Sequence, residues 1–148
     1  MNRKDFIKTC GYTCLGSLAL GPLLQSCTPM KMITGTIEGE NILVQLSDFK
    51  IVKKEEVLFR KYLIVQNELL QFPICVYRVS ETEYSALWMK CTHQGNELTA
   101  FGDKLHCSAH GSEFDKHGNV TNGPAANQLR TFEVIIENEQ LKISLKAV

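Results

Sequence analysis

Two short segments constrain this chain more than any other feature. Cys91-Thr92-His93 and Cys107-Ser108-Ala109-His110-Gly111-Ser112 each supply one thiol and one imidazole within two or three residues. A deprotonated thiol and a neutral imidazole are both metal donors. A chain carrying two such pairs needs a rigid frame that presents two loops, because functional side chains are commonly displayed on loops held by a scaffold.

The frame is legible as short strands. Ile42, Val44 and Leu46 alternate with Leu43 and Gln45, and Tyr62-Leu63-Ile64-Val65 is a short apolar run. Phe72–Val79 and Tyr84–Met89 flank Ser80-Glu81-Thr82-Glu83, which reads as a hairpin turn. Phe132, Val134 and Ile136, then Leu141, Ile143 and Leu145, alternate with polar residues on either side of a turn at Glu137-Asn138-Glu139. Phe101-Gly102-Asp103 reads as a further hairpin turn between the two Cys-His segments, and Lys53-Lys54-Glu55-Glu56 as a solvated charge run. Beyond the N-terminus no helical period is sustained for three turns. The expected fold is all-β, a small antiparallel sandwich or barrel of two sheets, with the two loops forming a subdomain.

The N-terminus has a different character. Asn2 to Lys8 is a charged leader, and the apolar stretch Leu15–Leu24 is broken by Gly16, Gly21 and Pro22. It falls short of the roughly 20 apolar residues that a bilayer-spanning helix needs, and reads as the hydrophobic region of an export signal. Leu24-Gln25-Ser26-Cys27 resembles a bacterial lipobox, which would make Cys27 a lipid-modified N-terminus. Arg3-Lys4 followed by Phe6-Ile7-Lys8 resembles a twin-arginine signal with one Arg replaced; an ordinary secretory signal is the alternative, as is an uncleaved N-terminal anchor. The division expected is a signal peptide over 1–26, a tether over 27–32 and one domain over 33–148. The lipidated and the uncleaved-anchor readings both put the domain outside the cytoplasm at a membrane surface, on the periplasmic side of a bacterial membrane.

Charge and cysteine use narrow the chemistry. Beyond residue 26 there are 13 basic and 15 acidic residues, a net of −2. With no basic stripe, nucleic acid is not an expected partner. Of six cysteines, Cys10 and Cys14 fall in the leader, Cys27 is the lipidation candidate, and Cys75 lies in an apolar stretch as a small buried residue. That leaves Cys91 and Cys107, which with His93 and His110 make the two-Cys, two-His set that holds a [2Fe–2S] cluster with both imidazoles on one iron. Two ferric ions and two sulfides carry a formal charge of about plus two, so two thiolates and two neutral imidazoles leave the site near zero. An electron enters such a site more easily than the roughly minus-two site that four thiolates make, which raises the potential to about −150 to +300 mV from about −400 mV.

The segments Cys91-Thr92-His93-Gln94-Gly95, Cys107 to Asp115, Gly118-Asn119-Val120 and Gly123-Pro124-Ala125 together resemble the Rieske family, over about residues 43–145. The resemblance implies that Cys91 and Cys107 bind an inner iron and that His93 and His110 bind an outer, solvent-near iron. It also implies that Ser112 donates to a bridging sulfide and that Pro124 shields the cluster. In quinol-oxidising members each loop carries a further Cys and the two are disulfide-bonded; here those positions are Asn96 and Ala109. A tyrosine that donates to a Cys sulfur is Phe114 here.

The function expected is a membrane-tethered one-electron carrier with no catalytic residues of its own, working with a redox protein or a quinol. Alternatives are an iron–sulfur subunit of a quinol-oxidising cytochrome bc-type complex and a small subunit of an exported oxidoreductase. A structural zinc domain is the remaining alternative; it fits the donors but leaves His-Gly-Ser and Gly-Pro-Ala unexplained. His106 reads as a strand-end surface residue, His117 as solvated and Trp88 as a core aromatic.

Overall fold

The computed structural model describes residues 30–146. The leader, Cys27 and the start of the tether lie outside those residues. Fifteen strands occur among the described residues: β1 (Met32–Thr34), β2 (Thr36–Glu38), β3 (Asn41–Gln45), β4 (Lys50–Lys53), β5 (Glu56–Phe59), β6 (Tyr62–Gln66), β7 (Ile74–Arg78), β8 (Tyr84–Trp88), β9 (Thr99–Phe101), β10 (Lys104–His106), β11 (Glu113–Asp115), β12 (Val120–Asn122), β13 (Thr131–Phe132), β14 (Val134–Glu137) and β15 (Gln140–Ser144). They form a five-stranded sheet β1-β6-β7-β8-β13, a base sheet β14-β15-β3-β2, a third sheet β12-β11-β10-β9, and the hairpin β4-β5. The charge run Lys53–Glu56 closes that hairpin, with Lys54 at φ 56°.

The sheet count corrects the two-sheet expectation, and burial gives the reason. Side chains alternate across a strand, yet Leu63, Ile64 and Val65 are all buried, as are Ile74, Cys75, Val76 and Tyr77. The five-stranded sheet is therefore a middle layer with a core on each face. Leu63, Val65, Ile74, Val76 and Ala86 join Ile42, Val44, Leu141 and Ile143 of the base sheet. Ile64, Cys75, Tyr77 and Leu87 join Leu105 and Phe114 of the third sheet, together with Cys91 and Cys107. Periodicity shows that such runs are buried, but it does not show that each face has its own partner sheet. Burial also pushes the Cys75 thiol and the Tyr77 hydroxyl up, so both stay protonated at neutral pH.

The start of the domain also differs from expectation. Met32, read as tether, lies in β1, which pairs parallel to β6 in an otherwise antiparallel sheet. The Ile64 N–H donates to the Lys31 carbonyl, and Lys31 Nζ lies 2.7 Å from Asp48 Oδ1. Gly35 then carries the chain from the middle layer to the base sheet. Its N–H donates to the Gln66 carbonyl at 3.0 Å, and its own carbonyl accepts from Asn67 Nδ2 at 2.9 Å. A Cβ at this position would lie 2.5 Å from Ile42 Cγ1 and 2.8 Å from Val65 Cγ1, both fully buried side chains. Gly35→Ala is expected to lower unfolding stability by about 1–3 kcal/mol, the usual cost of overpacking a closed core; a urea midpoint unchanged from that of the parent would contradict this.

Candidate metal centre

The two Cys-His segments are the tips of two hairpins with one geometry. In the first, Lys90 and Glu97 are bridged and the Cys91 N–H donates to the Asn96 carbonyl at 2.8 Å. In the second, His106 pairs with Glu113 and the Cys107 N–H donates to the Ser112 carbonyl at 2.8 Å. Inside each tip the carbonyl of the Cys accepts from the amide of a glycine four residues on, Gly95 at 2.8 Å and Gly111 at 2.9 Å. This i to i+4 closure is an α-turn. It places Gly95 at φ 76° and Gly111 at φ 79°, the left-handed region in which a Cβ is costly.

Residues 89–98 thus superpose in pattern on residues 105–114, a short internal repeat that is hard to see in the sequence. Only the Cys, the Gly and the Glu coincide, and the histidines are out of step, His93 two residues after its Cys and His110 three. The equal Cys-to-Gly spacing was the available signal.

This arrangement sorts the donors by depth. Cys91 and Cys107 are 2 % and 1 % exposed and belong to the core above the middle layer. His93 and His110 are exposed, with ring centroids 4.8 Å apart and planes at 86°. Two thiols at the floor and two imidazoles at the rim can hold a binuclear group in which each iron takes two protein ligands. The donor set and its depth order fit the [2Fe–2S] cluster.

A third segment ties the tips together. The chain between β12 and β13 contains Gly123-Pro124-Ala125, with the Gly123–Pro124 peptide cis. The Ala125 N–H donates to Ser112 Oγ at 3.0 Å, in the second tip, and the Thr92 hydroxyl of the first tip donates to the Asn127 carbonyl at 2.6 Å. Asn122 Nδ2 adds a bond to the Gly111 carbonyl at 2.9 Å. Pro124 itself is exposed, while Ala125 and Ser112 are buried. Cys91 and Cys107 form no disulfide, and Asn96 and Ala109, where the resemblance places the loop-to-loop disulfide of quinol-oxidising members, are exposed. The tips are therefore joined through this strap. Thr92 and Asn127 were not singled out by the sequence, since nothing local marks a hydroxyl that bonds a carbonyl 35 residues away.

The remaining candidates are peripheral. His106 is half-exposed at a strand end, 3.9 Å from Glu113 Oε1, and His117 is exposed in a turn. The Glu113 carboxyl is held below its usual range by the hydrogen bond from Lys104. At Asp115, burial disfavours the charge, but hydrogen bonds from the Asn119 side chain and from the Asn119 and His117 amides outweigh it and lower the pKa. Trp88 is only half-buried, at the edge of the first hairpin.

A binuclear site on two hairpin tips over a layered β frame defines an iron–sulfur electron-transfer domain. The Rieske [2Fe-2S] domain model matches residues 47–133, and the chain belongs to that family; a domain of this family binds one [2Fe–2S] cluster. Among solved structures the chain is similar to the cyanobacterial plasma membrane Rieske protein PetC3 from Synechocystis PCC 6803. Identity is 26%, over 57% of this chain and 86% of that one, with a TM-score of 0.50. It is also similar to the ferredoxin of carbazole 1,9a-dioxygenase from Nocardioides aromaticivorans IC177, at 16% identity over 73% and 100% of the two chains and a TM-score of 0.53, a likeness of fold. No curated protein matches the chain.

Because a Cβ at Gly111 would meet nothing within 4 Å, Gly111→Ala isolates the backbone requirement. It is expected to cost about 1–2 kcal/mol and to speed bleaching of the cluster's visible absorbance. Ser112→Ala leaves the buried Ala125 amide without its acceptor, costs about 1–3 kcal/mol, and is expected to lower the reduction midpoint as well. A midpoint and bleaching rate equal to the parent's in both variants would refute the strap and α-turn account.

Proposed function

We propose that the protein is a membrane-tethered Rieske electron carrier working outside the cytoplasm. Cys91 and Cys107 ligate the inner iron, and His93 and His110 the outer one. The observation that carries this reading is the depth order of the donors, with two buried thiols beneath two exposed imidazoles 4.8 Å apart. When bound, the cluster supplies one-electron chemistry at a potential raised by its imidazole ligands. The protein's part is to hold that charge change in place. Ser112 and the strap keep water from the inner side, and the exposed imidazole edges offer a partner its shortest approach.

Two features favour a carrier over a quinol-oxidising subunit. The tips have no covalent bridge, and Phe114, fully buried in the core that contains both cysteines, has no hydroxyl to donate to sulfur. Fewer donors to the sulfurs stabilise the reduced, more negative state less. The tethered, extracytoplasmic part of the proposal rests on the leader and on Leu24-Gln25-Ser26-Cys27, outside the described residues. Among the described residues no helix is long and apolar enough to cross a membrane. The similar Synechocystis protein is itself a plasma membrane Rieske protein.

An EPR-monitored redox titration of the purified protein is expected to give one n = 1 midpoint, above the roughly −400 mV of all-Cys clusters and below the roughly +300 mV upper limit of two-His centres. A midpoint at either extreme, or zinc in place of iron by elemental analysis, would reject the assignment. Cell fractionation tests the tether separately. The parent protein is expected in the membrane fraction and Cys27→Ser in the soluble extracytoplasmic or uncleaved precursor pool; a Cys27→Ser protein that is processed and fully membrane-bound like the parent would exclude lipidation at Cys27.

A further inference from the structure

A groove of about 840 Å³ opens beside the first tip and reaches His93. Its wall is built on Trp88. Lys90 Nζ lies 5.1 Å from the Trp88 ring centroid and 5.7 Å from that of Phe72, and the Arg130 guanidinium carbon lies 5.6 Å from Trp88 and 4.7 Å from Phe132. Phe72 meets Trp88 edge-on at 5.7 Å. Arg130 is further fixed by bonds from Nη2 to the carbonyls of Leu145 and Lys146, each 3.2 Å. Among the described residues neither cation is ion-paired with a carboxylate, and no Asp or Glu lines the groove. Glu97, opposite Lys90 across the bridge, lines a different depression.

The wider chain makes this local sign meaningful. Beyond residue 26 the protein is slightly acidic, so two cations without a carboxylate partner among the described residues, held on an aromatic wall beside an exposed imidazole, are a local reversal of charge. Aromatic faces hold cations in place at little cost, and a cleft lined by one sign of charge concentrates opposite charge and speeds encounter. We infer that the Lys90–Trp88–Arg130 groove is the docking site for an acidic segment of the redox partner protein, whose carboxylates seat against Lys90 and Arg130 and so bring its redox centre to the His93 edge. One electron then passes between the two centres and no covalent bond is made or broken. This inference rests on the electron-carrier reading above.

Trp88 is the only tryptophan in the chain, so its fluorescence reports the groove directly. Hexaglutamate is the probe for binding. Titration of the full chain is expected to change Trp88 emission saturably at low salt, and Lys90→Gln/Arg130→Gln is expected to abolish that change. Stopped-flow oxidation of the reduced protein gives the second readout, with hexacyanoferrate(III) as anionic and tris(phenanthroline)cobalt(III) as cationic one-electron oxidant. Removing the two charges is expected to slow the anionic oxidant about three- to tenfold at low ionic strength, and to leave the cationic one unchanged or faster. Lys50→Gln/Lys53→Gln, the same charge change on the β4-β5 hairpin, is expected to do neither. Hexaglutamate binding that survives in the groove variant, or equal slowing of both oxidants, would overturn the inference. A normal EPR signal and midpoint in that variant separates this failure from failure of the cluster assignment, which would instead remove the signal from the parent.

Discussion

Each metal-binding tip depends on a single backbone closure, the hydrogen bond from a glycine amide to the carbonyl of the cysteine four residues before it. That closure turns the chain sharply enough for the cysteine to point into the core while a histidine two or three residues later stands in solvent. It works only if the glycine accepts a left-handed backbone, which costs a residue with a Cβ about 1–2 kcal/mol. Repeated at Gly95 and Gly111, the same turn sets thiols at one depth and imidazoles at another. The separation of buried thiols from exposed imidazoles is therefore a property of backbone geometry before it is one of side-chain chemistry.

The layered frame makes that geometry rigid. The middle sheet is buried on both faces, so one core supports the base and the other runs directly into Cys91 and Cys107. Loosening the upper core would move the thiols themselves. The strap from Gly123 to Arg130 closes the assembly, since it hydrogen-bonds to both tips and then continues into β13 of the middle sheet. In a fold without a covalent bridge between the loops, two hydrogen bonds to one segment perform that task. The arrangement is weaker than a disulfide, and the bound cluster itself supplies part of the cohesion.

Electrostatics follow the same division. In the core beneath the site, burial pushes the Cys75 thiol and the Tyr77 hydroxyl up and keeps both neutral. The exposed side carries the charges, with Lys90 and Arg130 on Trp88 next to one imidazole and Lys104 paired with Glu113 near the other hairpin. Lys104 and Glu113 thus pair within the second hairpin, while Lys90 and Arg130 have no carboxylate ion-pair partner among the described residues.

The sequence by itself offered the candidate donors, the strand content and most of the turns. Cys and His are chemically singular, period-two patterns follow from the pleat, and turns such as Gly102 and Asn138 need residues that tolerate positive φ. The family resemblance added what the loops lack, with Asn96 and Ala109 in place of a disulfide and Phe114 in place of a hydroxyl. Tertiary structure alone decided the third sheet, the parallel pairing of β1 with β6, the equivalence of the two hairpins, the strap bonds of Thr92 and Ser112, and the place of Trp88 on a charged wall at the rim. Each of these joins residues far apart in the chain or depends on which face a buried run turns toward. Local propensity and periodicity carry no information on either, because the partners are chosen by packing.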